Sequence, residues 1–239
     1  MKQIISSALA MIILISCFSI SVNASSTTIG SESNFGALEA TAEQMEYWSS
    51  RQKSSRYDTN RAIDSTKAGW IWPTGMVVFY EYYGQEKNYT CGPACVKMAL
   101  KIITNQVYNE DVISSGCNTT TSGTYLSDMV TYINSVQTYN EYVPHYRATK
   151  DFMAFCLTDC VRYWDSPPII GIRETISENW LYNLGGHFVI ITAAMSDETA
   201  YEVTDPWSGF VGDTENCTYV KSADELYNAY NLVNIGFMY

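Results

Sequence analysis

The residues that can do nucleophilic chemistry are few. The chain has two histidines, His145 and His187, and seven cysteines. Cys91 stands out by its neighbours. Gly92 and Pro93 follow it, and Pro is accepted in the first turn of a helix, where its missing N–H has no partner to lose. Cys95, Met98, Ala99 and Ile102 then fall at helical spacing on one apolar face. The pattern predicts a buried helix over 91–103 that opens at Cys91. Unpaired amides and the helix dipole at such a position favour a thiolate, the form that attacks carbonyls. The plainer reading is a buried or disulfide-bonded cysteine. Cys95, on the apolar face, reads as core packing or a disulfide.

A thiol nucleophile needs a base, and a base needs an orienting group. His145 lies in a polar-flanked stretch with no evident partner. His187 follows Gly185 and Gly186 and opens an apolar run, Phe188-Val189-Ile190-Ile191. Met195-Ser196-Asp197 reads as a turn, and residues 200–205 return. A hairpin centred on Ser196 places Asp205 directly opposite His187. A carboxylate there would hold one imidazole tautomer and stabilise the imidazolium. A slip of one residue would put the two on opposite faces. The alternative reading of Asp205 is a turn former in Asp205-Pro206-Trp207-Ser208-Gly209.

These groups must be carried by regular elements. Residues 76–83 are β-branched and aromatic and read as a strand. Helices are expected over 91–103, 125–135 and 151–161, then strands over 168–173, 187–194 and 200–205. Ser222 and Glu225 form a capping box that opens a short helix, and 232–238 reads as a last strand. Helices come early and strands late, the order of an α+β domain.

The N-terminal region differs from this. Residues 1–24 have one charge, Lys2, an apolar stretch and small residues at the end, Val22-Asn23-Ala24, and read as a cleaved signal peptide with no stable membrane span after cleavage. The minor alternative is a lipid anchor through Cys17, since Leu14-Ile15-Ser16-Cys17 is similar to a lipobox. Residues 25–75 read as an N-terminal extension, or a propeptide, with one helix expected within 37–53. The localisation expected is secreted or extracellular. A composition 46% hydrophobic and 16% charged can build a core, and a net charge of −11 argues against nucleic acid and anionic lipid as partners.

Gln85, Cys91-Gly92-Pro93-Ala94, Gly186-His187-Phe188-Val189-Ile190 and Asp205-Pro206-Trp207-Ser208-Gly209 resemble, in order and spacing, the peptidase C39-like branch of the papain-like cysteine peptidases. The stretch around Ser122-Gly123-Thr124-Tyr125-Leu126 is also similar to that family. The resemblance covers 77–239 and assigns 76–239 as a catalytic domain of papain-like fold, N-terminal helices on a mostly antiparallel sheet. It implies Cys91 as nucleophile, His187 as general base, Asp205 as its orienting group and Gln85 as a side-chain donor to the oxyanion. A peptide or protein would be the substrate, with no cofactor and no metal.

Other readings of the same residues exist. A Cys-His-Asp order also serves acyl transfer and cell-wall amidases. The six cysteines beyond the signal, Cys91, Cys95, Cys117, Cys156, Cys160 and Cys217, could instead pair in a disulfide-bonded binding module. The Cys91/Cys95 and Cys156/Cys160 pairs could also hold zinc, though their three-residue spacers are longer than a zinc knuckle usually has.

Overall fold

The computed structural model describes residues 36–49 and 68–239. Within residues 32–239, one compact unit, the elements run β1 (Ala37–Leu38), α1 (Ala42–Ser49), β2 (Trp70–Ile71), α2 (Thr74–Phe79), α3 (Cys91–Thr104), α4 (Glu110–Gly116), β3 (Thr124–Tyr125), α5 (Leu126–Val136), β4 (Pro144–His145), α6 (Lys150–Tyr163), β5 (Ile169–Glu174), β6 (Leu184–Met195), β7 (Ala200–Thr204), α7 (Trp207–Phe210), β8 (Thr218–Ser222), α8 (Ala223–Asn231) and β9 (Phe237–Met238). The signal peptide expected over 1–24, Cys17 within it, and residues 25–35 and 50–67 lie outside the described residues.

The main sheet has seven strands in the order β4-β9-β5-β6-β7-β8, with β2 added to β6. Each pairing is antiparallel. This is the expected α+β fold with a mostly antiparallel sheet. Both faces are covered. Phe188 and Ile190 pack with α3, α4 and α5, whereas Val189 and Ile191 pack with α6 and α8. Side chains alternate along a strand, so a strand buried on both sides must be apolar throughout, as 188–191 is.

The amphipathic faces explain the helices. In α3, ten of the residues are buried, from Cys91 to Ile102. α8 begins with the expected capping box of Ser222 and Glu225. Thr149 caps α6 by accepting from the Phe152 amide. Two expectations change. Residues 74–79 form a helix, not a strand. Val77 and Val78 are both exposed, so no face alternates. Packing on α3 overrides β propensity there: Gly75 lies so close to the Ile102 carbonyl that a Cβ would overlap it. The last strand shortens to Phe237–Met238.

Residues of the N-terminal stretch join this frame. β1 pairs in parallel with β3, and the Thr124 amide donates to the Gly36 carbonyl at 2.8 Å. Ala37 is buried in the same apolar cluster as Cys91. α1 is shorter than the 37–53 span, and β2 pairs Trp70 with Met195 and Ile71 with Ala194.

Candidate active site

Cys91 is the first residue of α3 and is buried. What holds it is the edge of β6. β7 ends at Thr204, which pairs with Ile190, so Phe188 has no β7 residue beside it. α3 takes that place. The Phe188 amide donates to Cys91 Sγ at 3.5 Å, and the Cys95 thiol donates to the Phe188 carbonyl at 3.4 Å. Two cysteines one helical turn apart thus satisfy both backbone groups of one strand residue, which a buried edge requires. Cys95 sits in the core as expected, and this bond adds to its role. Burial, then the nearby Cys91, push its thiol well above the ordinary range. No disulfide joins any of the six described cysteines.

His187 and Asp205 are brought together. Nε2 donates to Asp205 Oδ1 at 2.7 Å, with both side chains fully buried. The register differs from the one expected. Asp205 is not opposite His187: Ile190 pairs with Thr204, which puts Asp205 level with Val189, one diagonal step away. The turn is centred later than Ser196, between Asp197 and Glu198, as Ala194 pairs with Tyr201. Carried on from Ala194–Tyr201, a regular ladder would set Asp205 on the face opposite His187. A bulge between Ile191 and Ala193 shifts the register by one residue and returns both to one face.

The loop after β7 is fixed by three contacts. The Trp207 amide donates to Asp205 Oδ1 at 2.8 Å. The Tyr82 hydroxyl donates to the Asp205 carbonyl at 2.9 Å and accepts from the Gly209 amide at 2.7 Å. Gly84 and Gly209 touch backbone to backbone, and a Cβ on Gly84 would lie 2.6 Å from Gly209 Cα. The Trp207 ring stands edge-on to the imidazole, 6.4 Å between centroids.

Gln85 is buried at the same junction, its amide bonded to the Pro206 carbonyl at 3.0 Å. Its side-chain Nε2 donates to the Lys87 carbonyl at 2.7 Å. A carboxamide nitrogen carries two hydrogens, so one remains for another acceptor. His145 lies elsewhere, in β4, its ring tilted against Phe152 and Phe237 with centroids 4.5 Å and 5.6 Å away. Partial burial lowers its pKa to about 4.

The electrostatics of His187 follow from its neighbours. Burial disfavours the imidazolium, but the Asp205 carboxylate outweighs it and Cys91 adds to the effect, so the pKa stands well above the usual value. Nδ1 has no hydrogen-bond partner among the described residues.

Two residues of the cluster are absent from the sequence reading. Glu174, at the end of β5, is fully buried. The Tyr219 hydroxyl, from β8, is 3.2 Å from Glu174 Oε1 and 3.2 Å from Asp205 Oδ2. Glu174 had a signal: it falls on the face of Ile170 and Ile172, a carboxyl on a buried apolar stripe. Glu174, His187 and Asp205 offer ligand atoms within 4.8 Å of one another. The 2.7 Å between His187 Nε2 and Asp205 Oδ1 is a hydrogen-bond length.

No family model matches the chain, and no curated protein matches it. Solved structures do. A protein named as a C39-like peptidase from Bacillus anthracis is 10% identical, with TM-score 0.51, over 71% of this chain and 96% of that one. The peptidase domain of Streptococcus ComA, a bifunctional ABC transporter, is 14% identical, with TM-score 0.46, over 67% of this chain and 96% of that one. A double glycine motif protease from an AMS/PCAT transporter, in complex with its leader peptide, is 15% identical, with TM-score 0.42, over 66% and 87%. The chain therefore has the fold seen in the C39-like peptidase.

Proposed function

We propose that this chain is an exported cysteine peptidase that hydrolyses peptide bonds with Cys91 as nucleophile. One observation carries the proposal: among the described residues His187 gives Nε2 to Asp205 and leaves Nδ1 without a hydrogen-bond partner, while the next residue holds Cys91 Sγ by its amide. In this reading Nδ1 takes the thiol proton, and the thiolate attacks the substrate carbonyl. The carbonyl π electrons move to oxygen. The Gln85 carboxamide and the Cys91 amide at the start of α3 donate to that oxyanion, a role that suits neutral, preorganised donors. Collapse expels the amine, which takes the proton from His187. Water, deprotonated by Nδ1, then cleaves the thioester and restores the thiol. Asp205 keeps the tautomer and supports the imidazolium. The C39-like peptidase fold supports a peptidase over other uses of such a triad.

The test is turnover on a peptide library, with Cys91→Ala as control. Hydrolysis that Cys91→Ala abolishes supports the proposal. Transfer of the acyl group to an added amine with no hydrolysis in its absence would replace peptidase by acyl transferase.

A further inference from the structure

Four strands of the sheet each send one polar residue to a single buried cluster: Glu174 from β5, His187 from β6, Asp205 just past β7, and Tyr219 from β8. Glu174 is fully buried, and among the described residues no lysine or arginine forms an ion pair with it. Lys221, which feels the Glu174 charge, donates instead to the Asn179 carbonyl and pairs with Glu225.

Counting protons settles how this cluster can be satisfied. The Tyr219 hydroxyl has one proton and lies 3.2 Å from both Glu174 Oε1 and Asp205 Oδ2. It can donate to one of them only. If both carboxyls were ionised, two like charges would lie side by side in a buried site, and either Glu174 would be an anion with no donor or Asp205 Oδ2 would lose its donor while Oδ1 kept His187 and the Trp207 amide; both arrangements are costly. If Glu174 keeps its proton, each contact is a hydrogen bond. Glu174 donates to the Tyr219 oxygen, Tyr219 donates to Asp205 Oδ2, and Asp205 Oδ1 accepts from His187 and from the Trp207 amide.

We propose that Glu174 is a positioning residue, an un-ionised carboxylic acid that holds Asp205 through the Tyr219 hydroxyl and so fixes the imidazole of His187. The inference rests on the proposed triad and deepens it. A neutral acid orients the aspartate without adding a second negative charge, which leaves Asp205 as the single counter-ion on that side of the imidazolium. The charged and titratable groups that face Glu174 are Asp205, His187, Tyr219, Tyr182 and Lys221. Burial first, then Asp205, push the Glu174 carboxyl well above the ordinary range, with His187 opposing, in keeping with the proton count.

Infrared difference spectra between the full chain and Glu174→Gln at pH 7 read the proton directly. The expected result is the carbonyl stretch of an un-ionised carboxyl, present in the wild type, absent in Glu174→Gln and displaced in Tyr219→Phe. Carboxylate bands alone, or a stretch that Tyr219→Phe leaves in place, would overturn the proposal. The alkylation rate of Cys91 reads the positioning. Glu174→Ala should slow it about tenfold, the effect of one pKa unit of lost support for the imidazolium, and Glu174→Gln, whose amide still donates to Tyr219, should restore most of it. Equal rates for Ala and Gln, or an Ala variant as fast as the wild type, would refute the role. A wild-type Cys91 whose reactivity ignores His187→Ala would sink the proposed triad instead, and the infrared result would stand apart from it.

Discussion

His187 and Asp205 meet at 2.7 Å because the β6–β7 ladder carries a bulge at Thr192, between Ile191 and Ala193. Side-chain direction has a period of two along a strand. One extra residue on β6 therefore decides which face His187 occupies. The Thr192 hydroxyl anchors the bulge, donating to Glu202 Oε1 at 2.8 Å and lying 3.1 Å from the Thr204 hydroxyl.

Deletion of Thr192 should restore a regular ladder and part the pair. Cys91 alkylation is expected to fall by about 10²-fold or more, the scale of losing an oriented histidine. Thr192→Val keeps the residue count and should stay within about threefold of wild type, since a hydroxyl bond contributes only about 1 kcal/mol. Near-equal rates for the deletion and the wild type would show that the bulge does not set the geometry.

Asp205→Asn should lower the rate of Cys91 acylation by about 10²- to 10⁴-fold. The sign for pH follows from the imidazole. Asp205 is what raises its pKa against burial. Without that charge the imidazolium is lost at lower pH, so the alkaline limb of the acylation profile should move down. A limb that stays in place would mean that Asp205 is not the source of the shift.

The loop that carries Asp205 is docked by Tyr82 and by the contact of Gly84 with Gly209. Gly84→Ala forces these backbones apart, and should reduce both thermal stability and Cys91 reactivity. Tyr82→Phe removes two hydrogen bonds and should cost about 1–2 kcal/mol in denaturant unfolding. If Gly84→Ala leaves both readouts unchanged, the loop is not held as described.

His145 gives a stability prediction with a defined sign. Burial lowers its pKa to about 4 in the folded chain, and the unfolded value is about 6.5. The unfolded state therefore binds more protons between these limits. Stability is held above pH ~6.5 and lost as pH falls towards 4, by on the order of 2 kcal/mol once partial exposure is allowed for. His145→Phe should flatten that part of the stability profile. An unchanged slope in urea midpoints between pH 6.5 and 4 would contradict the assignment.

Much of this was legible before the fold was known, for reasons that lie in particular residues. α3, α5 and α6 announce themselves by apolar spacing, and α8 by the Ser222–Glu225 box. Cys91 was legible because Gly92 and Pro93 mark a helix start. The His187–Asp205 pair was legible in its partners but not in its register, since a bulge leaves no mark in a single sequence. α2 was misread because β-branched Val77 and Val78 are on a helix surface, where packing of Gly75 on α3 decides the outcome. Glu174 and Tyr219 were missed because the contact between them is made by strands far apart in the chain, with β6 and β7 between them.

Cys91 is proposed as a nucleophile activated by His187. The most direct measurement is the rate of iodoacetamide alkylation at each cysteine of the intact chain, at mildly acidic pH, read by peptide mass. Cys91 should react far faster than the equally buried Cys117, and His187→Ala should remove most of that advantage. Equal rates at Cys91 and Cys117, unchanged by His187→Ala, would contradict the claim.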